Sequence, residues 1–290
     1  TLRDALARSK NMVSIRLLED ITPQYAQEFL GRFGFDRARN PAYLTMALGA
    51  GASTPWQMAS GYAVFANGGY KVEPYVVKEM YDGSGRLIAR TDPPIAGQSA
   101  ARVIDARNAW LMDSMMRDVV QRGTATRARV LKRKDLAGKT GTTNDYVDAW
   151  FCGYHPDQVA VSWMGFGQPK NMGRGETGGA TALPIWIDYM RTALEGKPEV
   201  SPPPPPGLKR VENGLGTRQD YHYAEYDPPE PPPAPDWLVD MFAEATSPAM
   251  EAESEAIPPA PMAQPQARQF LPPAQAPAPV EERMPTPIRR

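Results

Sequence analysis

The chain has 290 residues, of which 42% are hydrophobic and 22% are charged, and this composition excludes a chain that is disordered throughout. Its formal net charge of −1 provides no strong field for a polyanion, so we expect no nucleic-acid partner. A single cysteine, Cys152, excludes an internal disulfide, and with only two histidines in the chain we expect no metal site.

Two Thr-Pro pairs predict helix starts in the first third of the chain. At Thr22-Pro23 and Thr54-Pro55 a hydroxyl cap precedes a proline at the first helical position, and apolar residues at helical spacing follow. The second of these helices should end at Gly68-Gly69, because glycine readily adopts the left-handed exit conformation. Asp105 predicts the start of a third helix, which should end at Gly123.

Short strands are predicted between the second and third of these helices and again after the third. Residues 75–81 and 86–90 predict a hairpin turned at 82–85, and further strands are predicted at 136–143, 146–154 and 159–167. A turn at 155–157 joins the last two strands, and residues 181–194 predict a closing helix. Helices followed by consecutive antiparallel strands and a final helix favour an α+β sandwich over a doubly wound parallel sheet.

The last ninety residues differ in composition from the rest. They hold 22 of the 32 prolines and an excess of acidic side chains, so they cannot bury enough apolar area to offset the entropy of ordering. We therefore expect a folded domain at 1–198 and a proline-rich, disordered tail at 199–290. An apolar island at 237–242 leaves two interpretations open, a docking motif and a chance cluster, of which the chance cluster is favoured.

The sequence shows no membrane-spanning segment, and its first residues show no signal peptide. No run of eighteen apolar residues predicts a membrane-spanning helix, and residues 1–4 do not resemble a signal peptide. We expect the sequence to be a piece of a longer protein whose start is missing.

Two short motifs carry the candidate chemistry. Ser9-Lys10-Asn11 follows a helical run, and residues 138–143 place Gly-Lys-Thr-Gly-Thr-Thr on a predicted strand. Each motif alone occurs often by chance. Their order is informative, because Ser-x-Asn followed far downstream by Lys-Thr-Gly is the second and third signature of the penicillin-recognising serine enzymes.

The flanking sequence narrows this resemblance. Residues 1–6 lead into the first motif, 62–69 read YAVFANGG, 138–151 read GKTGTTNDYVDAWF, and 178–184 read GGATALP. With these stretches the chain resembles the transpeptidase domain of bifunctional, class A penicillin-binding proteins from residue 1 to about residue 195. The resemblance implies the fold shared by serine beta-lactamases and transpeptidases, an antiparallel sheet packed with helices.

The same resemblance implies an enzyme that cross-links the bacterial cell wall. A serine attacks the carbonyl of a stem peptide ending in D-Ala-D-Ala, expels the last alanine, and transfers the acyl group to an amine on a neighbouring peptide. Beta-lactams imitate this terminus and trap the serine. The implied parent also holds a glycosyltransferase domain, lies at the periplasmic face of the inner membrane, and meets other wall-synthesis proteins. No cofactor is implied, because serine acyl transfer needs none.

Roles for eight residues follow from the resemblance and from their chemistry. Ser9 would relay a proton beside a lysine base, Asn11 would hold that lysine or the substrate, and Lys139 would attract the substrate carboxylate. The hydroxyls of Thr140, Thr142 and Thr143 would bind that carboxylate, the N–H of Thr142 would form half of an oxyanion hole, and Gly138 and Gly141 would leave room for an extended peptide. One difficulty is that strand alternation places Lys139 and Thr140 on opposite faces, so their joint use requires a cleft that wraps the strand edge.

The family's nucleophile is missing from the sequence. It lies in Ser-x-x-Lys, and no serine of this chain is followed three residues later by lysine. We therefore expect the 290-residue chain alone neither to transpeptidate nor to bind penicillin covalently, which labelling with a fluorescent penicillin would check.

Two alternatives remain open. One is a serine beta-lactamase, which shares both motifs, and the other is a non-catalytic module that docks wall-synthesis partners through residues 202–235. Among the remaining candidates, Cys152 is interpreted as a small core residue. His155 is interpreted as a solvated loop residue at the His-Pro-Asp turn.

Overall fold

A computed structural model describes residues 1–212 and 219–226 of the chain. These residues belong to a compact unit that spans Thr1–Pro229. The α-helices are α1 (Leu2–Ala7), α2 (Asn11–Ile21), α3 (Pro23–Arg32), α4 (Pro55–Ala66), α5 (Ala106–Arg122) and α6 (Leu183–Ala193). The strands are β1 (Glu79–Tyr81), β2 (Leu87–Arg90), β3 (Ala137–Thr142), β4 (Asp148–His155), β5 (Gln158–Gly165), β6 (Leu208–Glu212) and β7 (Gln219–Tyr223).

The predicted helix starts are confirmed by their caps. The Thr22 side chain accepts the N–H of Tyr25 ahead of α3. Thr54 and Gln57 form a reciprocal capping box at α4. Asp105 caps α5, so each cap satisfies backbone N–H groups that the first helical turn leaves without a partner.

The central sheet is antiparallel, with strand order β3-β4-β5. Phe151 of β4 meets Trp186 of α6 edge-on, with ring centroids 4.9 Å apart. Tyr154 of β4 meets Tyr62 of α4 at 6.4 Å. Residues 151 and 154 project to opposite faces of the strand, so α6 and α4 enclose the sheet between them and the α+β sandwich is confirmed.

The core on the α6 side joins the sheet to the end of α5. The large side chains in it are fully or almost fully buried and include Val119, Val120, Leu136, Phe151, Leu183, Trp186 and Met190. This packing covers one face of β3. Among the described strands, β3 pairs with β4 along one edge, and no described strand pairs with its other edge, the open edge.

A second hairpin, β6-β7, packs on the helices that flank the sheet. Its Tyr221 ring lies 4.8 Å from Trp110 of α5, and Asp220 accepts two hydrogen bonds of 2.9 and 3.0 Å from Arg3 of α1. The expectation of a disordered tail from residue 199 is therefore wrong for residues 208–212 and 219–226. The prediction used the average composition of the last ninety residues. Residues 208–226 differ from that average, because they contain no proline and three tyrosines. Residues from 227 onward, including the apolar island, lie outside the described residues.

A buried pair corrects the interpretation of His155. The ring is fully buried, its Nε2 lies 3.1 Å from Oδ2 of Asp135, and its Nδ1 accepts the N–H of Asp157 at 3.1 Å. Because Nδ1 is an acceptor, the neutral ring carries its hydrogen on Nε2, the nitrogen that faces the Asp135 carboxylate. Arg133 donates to the same carboxylate at 2.7 and 2.9 Å. The sequence alone did not show that these partners converge on the turn.

None of the helices in the described part of the chain combines the length and apolar character needed to cross a membrane.

Candidate active site

The two sequence motifs meet at the open edge of β3. Ser9 follows α1, Lys139 lies in β3, and Nζ of Lys139 donates a hydrogen bond of 2.9 Å to Oγ of Ser9. Ser9 has a φ of 52°, a left-handed conformation that serine rarely adopts. The next N–H, that of Lys10, donates to the carbonyl of Ala5 at 2.8 Å and anchors this turn. The fold thus brings together two side chains that are 130 positions apart.

Burial controls the ionisation of Lys139. Desolvation lowers the pKa of this ammonium to about 8, because the surroundings disfavour the charged form. Besides Ser9, its Nζ donates to the carbonyl oxygen of Thr140 at 3.0 Å. Both acceptors are uncharged, and none of the ion pairs among residues 1–212 and 219–226 involves Lys139. The ammonium is therefore available to an anionic ligand.

The open edge of β3 presents backbone groups to the same place. The N–H of Thr143 donates to the carbonyl of Asp148 at 3.0 Å, which makes these two residues a hydrogen-bonded antiparallel pair. Alternation then turns the N–H of Thr142 and the carbonyl of Thr140 away from β4. The bond from Lys139 to that carbonyl agrees with this direction. An extended peptide could pair with this edge as an added strand.

Two threonine hydroxyls lie side by side on one face of this strand. Thr140 Oγ1 lies 2.6 Å from the hydroxyl oxygen of Thr124. Thr142 Oγ1 accepts the N–H of Gly178 at 3.0 Å. Each hydroxyl carries one hydrogen, so the Thr142 hydrogen remains available for a ligand while its oxygen is held by the protein.

Thr143 is engaged differently. Its Oγ1 accepts the N–H groups of Val147 and Asp148 at 3.1 and 2.7 Å, and it thereby closes the turn between β3 and β4. Asp145 within this turn has a φ of 58°, a left-handed conformation that aspartate tolerates better than most residues. These bonds commit the Thr143 hydroxyl to the turn rather than to the cleft.

Glycines at the sheet serve close backbone packing. A Cβ added at Gly178 would lie 2.3 Å from the carbonyl of Trp150 and 2.5 Å from that of Gly141, and one at Gly138 would lie 2.7 Å from the carbonyl of Cys152. Side chains cannot be accommodated at either position. Gly141 is less crowded, since its added Cβ would first meet the Cβ of Trp150 at 3.3 Å.

A cleft of about 710 Å³ opens in front of β3. One wall is α4, with Tyr62, and the other is the sheet, with residues 139–143 and Trp150. Lys139 and Thr140 project to opposite faces of the strand, yet both line this cleft. The cleft therefore wraps the strand edge, as their joint use requires. Burial also raises the pKa of the Tyr62 hydroxyl, so this wall stays uncharged at neutral pH.

The remaining predicted residues lie around this centre. Asn11 is the first residue of α2, and its side chain is exposed and is not among those that line the cleft. Cys152 is 2% exposed and burial raises the pKa of its thiol to about 12, so the interpretation as a core residue is confirmed. Within the described ranges, no group of three His, Cys, Asp or Glu side chains is placed to hold a metal ion.

Sequence reasoning missed two residues at the site. Thr124 carried no local signal, because nothing in its neighbours distinguishes it from other threonines after a helix. Gly178 belongs to a recognisable Gly-Gly pair, but its contact with β3 depends on the fold and could not be read from spacing.

Comparisons with known proteins agree with this geometry. Residues 1–187 match the family described as "Transpeptidase: Penicillin binding protein transpeptidase domain". Penicillin-binding protein 1A of Neisseria lactamica is 50% identical over 226 residues, 78% of this chain and 28% of the relative. The protein of the same name from Pseudomonas aeruginosa is 41% identical over 252 residues, 71% of this chain and 31% of the relative.

A solved structure supports the same assignment. The crystal structure of penicillin-binding protein 1A from Haemophilus influenzae superposes with a TM-score of 0.75 at 34% identity, and covers 79% of this chain and 40% of that one. The expected fold of the penicillin-recognising enzymes is thereby confirmed. The chain spans less than a third of the length of these curated relatives. Over most of its described length, this chain belongs to the penicillin-binding protein transpeptidase domain family.

Proposed function

We propose that this chain supplies the substrate-recognition side of a peptidoglycan D,D-transpeptidase site. The observation that carries the proposal is the 2.9 Å hydrogen bond from Lys139 to Ser9. It joins the Ser9 motif to the strand that lines the cleft, and family membership over residues 1–187 supports the same activity.

The ligand that fits this edge is a peptide with a free C-terminal carboxylate. The Lys139 side chain is half-buried and its ammonium has uncharged acceptors, so a carboxylate would bind it through a short, charge-assisted hydrogen bond. The hydroxyls of Thr140 and Thr142 line the same cleft and would complete the contact. We propose that this carboxylate is the terminus of a stem peptide ending in D-Ala-D-Ala, or its imitation in a beta-lactam.

The chemistry proposed for the complete site is acyl transfer. The attacking serine forms an ester with the penultimate alanine carbonyl, the amide C–N bond breaks, and the proton lost by that serine goes to the departing amine of the last alanine. Ser9 accepts a hydrogen bond from Lys139 and retains its own hydrogen to donate, so it can pass a proton toward that amine. The N–H of Thr142 points to the open edge and would stabilise the oxyanion.

This proposal does not assign the attacking serine or its lysine to any residue of the chain. The 290 residues contain no Ser-x-x-Lys, so we propose that the nucleophile belongs to sequence outside them. For the whole protein we propose a setting at the periplasmic face of the inner membrane. We also propose that it meets further wall-synthesis proteins there.

Binding of a pair of peptides tests the proposal. Diacetyl-Lys-D-Ala-D-Ala and its C-terminal carboxamide would be titrated into the 290-residue chain, with amide chemical shifts of β3 as the readout. Lys139→Met should weaken binding of the carboxylate peptide about tenfold or more, because it removes the charge-assisted contact, and should leave the carboxamide unchanged.

Lys78→Met is the matched control, because Lys78 is exposed just before β1. This variant should bind both peptides as the unmodified chain does. Equal affinity of the unmodified chain for the acid and the amide would refute carboxylate recognition by this cleft.

A further inference from the structure

Thr124 contributes a third hydroxyl beside the two on β3. It follows α5, and its Oγ1 lies 2.6 Å from Oγ1 of Thr140, a distance at which either oxygen can be the donor. No sequence motif includes this residue. Its position next to Thr140 leaves open which of the two hydroxyls donates the hydrogen bond.

The backbone holds Thr124 firmly between the two family motifs. Its N–H donates to the carbonyl of Ala7 at 3.1 Å, two residues before Ser9. A Cβ added at the preceding Gly123 would lie 2.1 Å from the same carbonyl, so the chain can approach this closely only with glycine there. Thr124 is thus tied to the end of α1 through its backbone and to β3 through its side chain.

Counting hydrogens decides the direction of the bond when a ligand is present. A carboxylate only accepts hydrogen bonds, and each threonine hydroxyl has one hydrogen to give. Thr142 meets this requirement because its oxygen accepts the N–H of Gly178 and its hydrogen is spare. Thr140 meets it only if Thr124 donates to Thr140, since otherwise the lone pairs of Thr140 would face the carboxylate.

We infer that Thr124 is a positioning residue for the substrate carboxylate: it donates its hydroxyl hydrogen to Thr140 and so directs the Thr140 hydrogen toward the ligand. This inference rests on the proposed function of the cleft. The segment between α5 and β3 would then take part in recognising the substrate carboxylate.

The same pair of peptides tests the inference on the 290-residue chain. Thr124→Val keeps the shape of the side chain but removes its hydrogen, and should weaken binding of the carboxylate peptide about three- to tenfold with no change for the carboxamide. Thr124→Ser restores a donor at the same atom and should bind within about twofold of the unmodified chain. Adding Thr124→Val to Thr140→Val should weaken binding no further than Thr140→Val alone, because Thr124 acts only through Thr140.

Thr192→Val on the exposed surface of α6 is the matched control and should change neither affinity. Equal losses for the acid and the amide peptide in Thr124→Val would overturn the inference, because they would indicate a structural role alone. The inference would also be overturned if the unmodified chain binds the acid more tightly than the amide and Thr124→Val keeps the same preference. That result would leave the proposed function intact. A chain without any preference for the acid would defeat the proposed function itself.

Discussion

Lys139 is a charged group held in a place that disfavours its charge. Its pKa falls to about 8 through burial, and its nearest acceptors are the Ser9 hydroxyl and the Thr140 carbonyl. A lysine that bound a protein carboxylate would be stabilised in its charged form and closed to a ligand. At this position no carboxylate of the described residues pairs with the ammonium. An anionic substrate would supply the missing negative charge.

This lowered pKa predicts how stability depends on pH. The folded pKa of about 8 lies below the unfolded value of about 10.4. The unfolded chain therefore binds more protons in that window, and the chain gains stability as pH rises through it. Lys139→Met lacks the titrating group, so its free energy of unfolding relative to the unmodified chain should fall by about 1–2 kcal/mol from about pH 7 to about pH 10.

Urea denaturation of both proteins at the two pH values measures this difference. Titration of Cys152 and of the buried tyrosines occurs in both proteins, so their contributions cancel. A difference in stability that is independent of pH would mean that the Lys139 ammonium is not desolvated by the fold.

Among the elements, α1 links the active-site edge to the second hairpin. The helix ends just before Ser9, and its Arg3 side chain, 7% exposed, is paired with Asp220 of β7 and Asp118 of α5. Arg122 of α5 pairs with the same Asp118. The hairpin therefore helps to hold α1 against α5, and so helps to fix where Ser9 lies.

Removing one charge from this network should loosen the hairpin. Asp220→Asn leaves the Arg3 guanidinium without one of its carboxylates, and should lower the free energy of unfolding by about 1–3 kcal/mol. The control Asp188→Asn breaks the exposed pair with Arg191, which should change stability by less than about 1 kcal/mol. Equal midpoints of urea denaturation for the two variants would contradict a stabilising role for the hairpin.

Elements with local signals could be predicted from the sequence, and elements that depend on distant partners could not. Caps at Thr22, Thr54 and Asp105 located three helices, because a cap satisfies its own first turn. The hairpin β6-β7 was missed because it is stabilised by α1 and α5, which lie far away in sequence. The site divides in the same way: Lys139 and Ser9 stand in motifs, whereas Thr124 joins them only through tertiary contacts.

At the scale of the whole described fold, the open edge of β3 lies beside the cleft, while α4 and α6 cover the two faces of the sheet. Similarity to penicillin-binding protein 1A from several bacteria favours the penicillin-binding protein family over the serine beta-lactamases that the motifs alone left open. Absence of covalent labelling by penicillin stays a prediction, based on the missing Ser-x-x-Lys. Docking of partners through residues 202–235 also stays a prediction, since 213–218 and 227–235 lie outside the described residues.

The most direct measurement of the central claim is the pKa of Lys139 with and without ligand, followed by NMR of its labelled side chain. The free chain should give a value of about 8. Saturation with the peptide ending in a carboxylate should raise the pKa by about 1 or more, because a nearby opposite charge favours the ammonium, and the carboxamide peptide should leave it unchanged. A pKa that stays the same with both peptides, although the acid binds, would show that the carboxylate lies elsewhere and would contradict the account.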